Sequence, residues 1–409
     1  MKYLLLIALV TATPVVAAEP FVAASATEAT TPVELDRPIV TAHRGAFGGK
    51  TIDYSAVVER FDTKSADGKD AARLVAISYI ARKAPPNRPV LFIFNGGPIS
   101  SSSTLHMGAF GPKRVEVPDD IGAPATAIQF VDNPYTPLDM ADLVFFDPAG
   151  TGLSRFAPGS DPASQASNVA DSRQLAQMIL QWRERHGRSA APIFLVGESY
   201  GTMRAPEAAR QLLEAGVAVD GLVLLGQAVN IIEYAQRPAN LTSFAVSLPT
   251  LAATAWEHGR AARKGRSFDA FIADARSFAI EDYLPALYLG DKASAARRRA
   301  VAVRLEEFTG LSADWYLANK LRITKTEYQK TLFPGFELDT YDARYKGAAG
   351  TPSPFLDVLG AYQTHFNAYL AKDLKAGNVG PYLPYHLFPG GLNGWGWGEN
   401  KSPFGNWPY

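Results

Sequence analysis

Cysteine is absent from all 409 residues. That excludes disulfides, a thiolate nucleophile, cysteine-ligated zinc and a lipid-modified cysteine. An excess of charge is absent too, since 40 basic residues balance 40 acidic ones. A neutral balance leaves no electrostatic footprint for nucleic acid or an anionic membrane, so neither is an expected partner. Histidine is scarce, with six in the chain, and no internal repeat recurs along it. What is present is the make-up of a folded globular protein: 47% hydrophobic, 11% aromatic and 20% charged. A chain of this size can bury a sufficient core without covalent cross-links.

Lys2 precedes an apolar run from Leu4 to Val10, and small residues follow at Val16-Ala17-Ala18. That order of charge, apolar run and small residues is an export signal, with a cut expected before Glu19. The run is too short to span a bilayer. Residues 1–18 are therefore read as a signal peptide, and the protein as exported, either to a periplasm or outside the cell. Residues 19–45 are rich in Ala, Thr, Pro and Glu without an apolar period, and read as a flexible lead-in.

Strand-like sequence begins near Thr51. Arg73–Ile80 and Val90–Phe94 are β-rich runs separated by Pro85-Pro86-Asn87-Arg88-Pro89. Leu143–Phe146, Ile193–Val196 and Leu222–Leu225 are short and continuously apolar, as expected of central strands covered on both faces. Between the first two of these, Val169, Leu175, Met178, Ile179 and Trp182 follow a helical stripe that stops at Gly187. Strands alternating with helices predict an α/β core with a mostly parallel central sheet over 46–230. Residues 231–390 are rich in helical Ala/Arg stretches and aromatic, Pro-rich loops, and read as a helical cap insertion. Residues 391–409 read as the start of a return to the core.

Gly197-Glu198-Ser199-Tyr200-Gly201 fits the G-x-S-x-G nucleophile elbow. Five residues alone are weak, but an apolar strand runs into them and a helix-compatible stretch follows to Leu213. The turn would lift the Ser199 hydroxyl out at the carboxyl end of the sheet, beside the positive end of the next helix. A serine hydroxyl also needs a base and donors for the oxyanion it generates. Tyr200 N–H is one candidate donor. Asn95-Gly96-Gly97-Pro98, directly after Phe94, is a loop placed to supply the second, through Gly97 N–H or, alternatively, Gly96 N–H.

Three segments together resemble successive motifs of the serine carboxypeptidase family: Asn95–Pro98, Asp147-Pro148-Ala149-Gly150-Thr151-Gly152-Leu153-Ser154, and Gly197–Gly201. Pro206 also matches. The resemblance covers about residues 50–230, then extends more loosely through Tyr341–Tyr345 and Trp395-Gly396-Trp397, and is closest to the cysteine-free bacterial branch. It implies an α/β-hydrolase fold and a serine-type carboxypeptidase acting on peptides with a free C-terminus. No cofactor or metal is called for. It also implies that Asn95, Gly96 and Glu198 hold the substrate's terminal carboxylate. A glutamate can do so only when protonated, so cleavage is expected to rise below neutral pH. Two positions depart from the pattern. Ile99 stands where the family has glycine, which is expected to reshape the loop, and Ala109 stands where many members have a second acid.

The order Ser, Asp, His requires an acid and a histidine after Ser199. His258, His365 and His386 follow it, and none closes a strand-then-glycine pattern. The resemblance implies that two last strands beyond Trp397 carry both residues, and the chain given ends at Tyr409, so these strands are expected to be missing. Three readings stay open: a fragment of an active enzyme, a homologue that has lost catalysis, or recruitment of a cap histidine such as His386. The function expected is peptide cleavage through an acyl-enzyme on Ser199. The alternatives are acyl transfer or ester hydrolysis on the same scaffold, or a catalytically incomplete peptide-binding homologue.

Overall fold

The structure is a computed structural model that describes residues 25–31, 33, 35–229, 235–386 and 394–397. The signal read over 1–18 lies outside the described residues. The chain opens with a short helix α1 (Ala26–Thr30) and a hairpin of β1 (Ile39–Phe47) and β2 (Lys50–Lys64), paired antiparallel from Ile39↔Val58 to Phe47↔Lys50. The lead-in reading of 19–45 is corrected over these residues. The inward positions of β1 before Phe47 are Ile39, Thr41, His43 and Gly45, so its two-residue period is mostly not apolar and did not register as a strand pattern.

The antiparallel run continues through β3 (Asp70–Ala81), beyond which the sheet becomes parallel. The parallel half comprises β4 (Val90–Phe94), β7 (Asp142–Phe145), β9 (Ile193–Glu198) and β10 (Gly221–Leu225). The order across the sheet is β1-β2-β3-β7-β4-β9-β10, with the two-residue β8 (Arg155–Phe156) against β3. A separate hairpin, β5 (Lys113–Glu116) with β6 (Gln129–Asp132), leaves the sheet between β4 and β7. All four residues of β7 and four of the five in β4 are buried, because layers cover both faces.

After a one-turn helix α2 (Ser103–Leu105), one layer is formed by α3 (Asn168–Arg185) and α4 (Gly201–Glu214). Ser167 starts α3 by accepting the Ala170 N–H, a side-chain N-cap. Trp182 is fully buried, meets Phe92 edge-on at 5.5 Å and donates its indole N–H to Ser78 at 2.9 Å. That bond removes the cost of burying the indole N–H. At the amino end of the parallel strands, the buried Asp142 carboxylate accepts from Ala81 N–H at 2.9 Å and from Arg88 and Arg188, both at 3.1 Å. Charge from both sides and a backbone donor together compensate its desolvation.

The region beyond 235 divides in two. α5 (Leu241–Glu257), α6 (Phe268–Phe278), α7 (Leu284–Leu289), α8 (Ala295–Thr309), α9 (Ala313–Ala318) and α10 (Lys325–Thr331) enclose their own core around Phe271, Phe308, Tyr316 and Tyr328. A small hairpin follows, β11 (Phe336–Leu338) with β12 (Lys346–Ala348). The next helix, α11 (Phe355–Lys372), is not part of that cap core. Its Phe366, Tyr369 and Leu370, with Leu374, Val379 and Tyr382 after it, pack with Tyr79, Leu143 and Phe145 of the sheet. The boundary read at 390 is therefore corrected, and the return to the sheet begins near Phe355. Helical sequence looks alike in cap and core, and only the packing partner distinguishes them. Among the described residues, no helix is long and apolar enough to cross a membrane.

Leu222–Leu225 forms a strand as expected, but not one covered on both faces. Among the described residues nothing pairs with the outer edge of β10, and Leu222, Val223 and Leu224 are 41%, 42% and 39% exposed. An exposed apolar strand edge is a template for association. The chain should therefore self-associate with rising concentration, and Val223→Lys should shift that onset upward without changing the circular dichroism. Light scattering across a dilution series reads both, and equal onsets would rule out β10 as the contact.

Candidate active site

The register of two parallel strands builds the site. Phe94 of β4 pairs with Gly197 of β9, so Asn95 and Glu198 leave the sheet side by side at its carboxyl end. Their side chains meet: Asn95 Nδ2 donates to Glu198 Oε2 at 3.1 Å, while Asn95 Oδ1 accepts the Leu105 N–H at 3.0 Å. Asn95 is thereby held on both sides, with one amide hydrogen still unused.

Ser199 follows in the elbow with φ of +54°, a left-handed conformation that a non-glycine residue adopts at some cost. Several bonds offset it. Ser199 N–H donates to Leu225 O at 2.9 Å, and Ser199 O accepts from Thr202 N–H at 2.9 Å and from Thr202 Oγ1 at 2.7 Å. Ala228 N–H in turn donates to Thr202 Oγ1 at 2.6 Å, which ties the loop after β10 to the elbow. α4 starts at Gly201, immediately behind the serine.

The loop Asn95–Pro98 lies against this turn. A Cβ on Gly96 would fall 2.5 Å from Tyr200 N and 2.7 Å from Glu198 O, so only glycine allows the two backbones this close. Gly97 takes φ of +110°, which side chains rarely adopt, and is exposed where Gly96 is buried. The residues read as the site from sequence, Ser199, Tyr200, Asn95, Gly96, Gly97 and Glu198, thus lie in two adjoining loops. Ile99 does not need a left-handed backbone here. Its side chain packs into the core, and its carbonyl accepts the His386 N–H at 3.0 Å.

A third strand of chain braces these loops from outside. Ser101 N–H donates to Pro384 O at 2.8 Å, and Gly152 and Leu383 exchange both backbone bonds at 2.7 and 2.9 Å. The buried Arg155 adds a staple, donating to Gly152 O, to Ser154 O and, at 2.6 Å, to Pro381 O. Trp395 and Trp397 stand edge-on to the Tyr200 ring at 5.7 and 5.9 Å, while Gly396 bonds with Ala166 and Asn168 at the start of α3.

The downstream histidines are dispersed. His258 bonds Ala343 O at 2.7 Å in the cap, and His365 stacks on Phe130. His386 is buried, with its ring 6.0 Å from Phe156. Among the described residues, none of the three is hydrogen-bonded to Ser199. Asp339 turns back on Tyr341 and Asp342 N–H groups, and Asp357 lies on α11. The described residues include no cluster with the side chains to hold a metal ion.

Sequence reasoning named Asp147 only as part of a motif and missed Arg204, and it read the role of neither. Asp147 is buried with Ser102 N–H at 2.6 Å and the Tyr382 hydroxyl at 2.9 Å, so it fastens the chain after the Gly96-Gly97 loop to the returning segment. Arg204, fully buried in α4, donates to the carbonyls of Asn95 and Pro98 on either side of Gly96-Gly97. A signal for Arg204 existed: it shares the inward stripe of Ala208 and Leu212, where an unpaired charge would be costly.

Strand order, elbow and flanking helices define an α/β-hydrolase fold. Residues 74–250 match the family model for serine carboxypeptidases, and over that region the chain is carboxypeptidase-like. No curated protein matches the chain. Among solved structures, the prohormone-processing carboxypeptidase Kex1 of Saccharomyces cerevisiae is 16% identical, with a TM-score of 0.42; the match covers 75% of this chain and 62% of that one. An esterase from Pyrobaculum calidifontis is 20% identical at a TM-score of 0.27, covering 45% and 48%. A proline iminopeptidase from Mycobacterium smegmatis is 14% identical at 0.26, covering 69% and 77%.

Burial pushes the Asp147 carboxyl up to about 6, against the opposing pull of its donors Ser102 and Tyr382. An acid with a folded value above its unfolded one, near 4, binds its proton more tightly when folded. Its contribution to stability therefore grows as the pH falls from about 6 towards about 4, and at neutral pH the buried charge costs up to about 3 kcal/mol. Asp147→Asn should remove that dependence. Urea midpoints of the two proteins should converge on acidification across this window, and curves that stay parallel would show that the carboxyl does not titrate there.

Proposed function

We propose that the chain is a serine-type carboxypeptidase that releases C-terminal residues from peptides through an acyl-enzyme on Ser199. The observation that carries this reading is the placement of Asn95 and Glu198, joined at 3.1 Å, beside the elbow serine and the Gly96-Gly97 loop. A site that cuts within chains has no need of two carboxylate-binding side chains at this point. The family match over residues 74–250 supports the same chemistry.

In this mechanism Ser199 Oγ adds to the scissile carbonyl, and the carbonyl oxygen becomes an oxyanion facing the N–H groups of Tyr200 and Gly97. Collapse breaks the C–N bond, and the amine leaves with the proton that the serine gave up. Water then hydrolyses the ester and restores the hydroxyl. Asn95 uses its remaining amide hydrogen, and Glu198 its proton, to hold the departing residue's carboxylate. No described histidine stands on Ser199 to carry the proton, which favours one second reading: a homologue that binds peptide termini without cleaving them.

Two measurements separate these readings. A fluorophosphonate should label wild type and not Ser199→Ala, and an unlabelled wild type that still binds a free-acid peptide would favour the binding homologue. Glu198→Ala should weaken binding of a free-acid peptide about tenfold or more while leaving its C-terminal amide little changed. Equal handling of acid and amide by wild type would remove the carboxylate assignment. His386→Ala tests recruitment of that histidine, which predicts loss of labelling with native stability.

A further inference from the structure

We propose that Arg204 is a positioning residue that holds the oxyanion loop in its working shape and couples it to the helix behind Ser199. The inference rests on the reading of Ser199 as nucleophile. Arg204 and Asp171 of α3 are essentially without solvent contact, and Arg204 Nε donates to Asp171 Oδ2 at 2.7 Å. The other two nitrogens of the fork do not serve the acid. Nη1 donates to Asn95 O at 2.6 Å, and Nη2 to Pro98 O at 3.1 Å.

Those two carbonyls bracket Gly96 and Gly97. In a trans peptide the N–H points opposite to the C=O of the same unit. Holding Asn95 O therefore turns Gly96 N–H away from Arg204. The next unit is set by Gly96 O, which accepts Ser100 N–H at 3.4 Å and directs Gly97 N–H away from Ser100. Arg204 thus fixes the peptide planes Asn95–Gly96 and Pro98–Ile99, and the two planes between them, the second of them the cis Gly97–Pro98 bond, are held at both ends.

The surroundings make the clamp stiff. The guanidinium carbon lies 5.3, 5.3 and 5.2 Å from the ring centres of Phe94, Phe146 and Tyr200. Three rings exclude water, which strengthens each charge-assisted bond and adds cation–π attraction. A lysine could not replace this group, because one ammonium cannot reach three acceptors spread around a planar fork. The geometry also links the two halves of the site, since Ser199 and Arg204 are separated by little more than one turn at the start of α4.

The test uses the full 409-residue chain as wild type, Arg204→Lys and Arg204→Met. Because Arg204→Met leaves Asp171 unpaired and can unfold the protein, the charge-neutral double variant Asp171→Asn/Arg204→Met is included. Three readouts are taken on each: the rate constant for fluorophosphonate labelling of Ser199, affinity for a free-acid peptide, and hydrogen exchange of the amides from 95 to 100. The expected result is a loss in labelling on the order of 10²-fold, the size seen when an oxyanion donor is misplaced. The thermal transition should remain cooperative, peptide affinity should change less than labelling, and exchange should quicken at least about tenfold within 95–100 alone. Arg204→Lys should recover only part of the rate. Full recovery with lysine, or unchanged labelling with unchanged loop exchange, would overturn the proposal, as would exchange that quickens throughout the double variant. If wild type itself fails to label, the nucleophile reading falls. Exchange then decides the clamp alone: quickening confined to 95–100 supports it, and no local change overturns it.

Discussion

The parallel pairing of β4 with β9 is the constraint on which the rest depends. It aligns Phe94 with Gly197, so the chain leaves both strands at the same height and two loops of different origin meet. A shift of one residue would turn Asn95 and Glu198 to opposite faces of the sheet and separate the Gly96 backbone from Tyr200 N. The register itself is secured by burial. Val90, Phe92, Ile93, Phe94, Leu195 and Val196 lose almost all contact with water, and a slip would return none of that surface to an equivalent environment.

Around this pairing the carboxyl end of the sheet is unusually polar for a buried region. Asp147, Arg155, Asp171 and Arg204 are all enclosed, and much of their bonding is to backbone rather than to one another. Loops that must expose N–H groups to a substrate cannot satisfy their carbonyls by forming strands or helices. Buried side chains do so instead, and exchange conformational freedom for a fixed direction of each peptide plane. At the opposite end, Asp142 with Arg88 and Arg188 secures the strand starts. Both ends use buried charge, but only at the carboxyl end does it shape loops that could touch a substrate.

The cap and the returning chain divide the second half of the protein by packing. α5 to α10 fill one another's hydrophobic faces and form a core of their own. α11 and the segment to His386 belong to the sheet instead, where 381–386 runs along the loops of the site and Arg155 pins it. The returning segment is thus part of the wall of the candidate site, although nothing in its composition marks it as such.

Much of this was legible in the residues themselves. Short apolar runs marked β4, β7, β9 and β10, the helical stripe marked α3, and the spacing of Asn95–Pro98 and Gly197–Gly201 identified the two loops that meet. These features are local: a strand's apolar run, a cap or a turn glycine expresses a constraint that acts within a few residues. Tertiary structure decided the rest. β1 became a strand because β2 offered it nine partners, not because its own sequence alternates apolar residues. α11 joined the sheet rather than the cap because of the surface available to it. Arg204 gained its three partners because Asn95 and Pro98 of one loop and Asp171 of α3 converge on it from two separate segments. The direction of a buried donor is set by acceptors distant in sequence, and no local pattern contains that information.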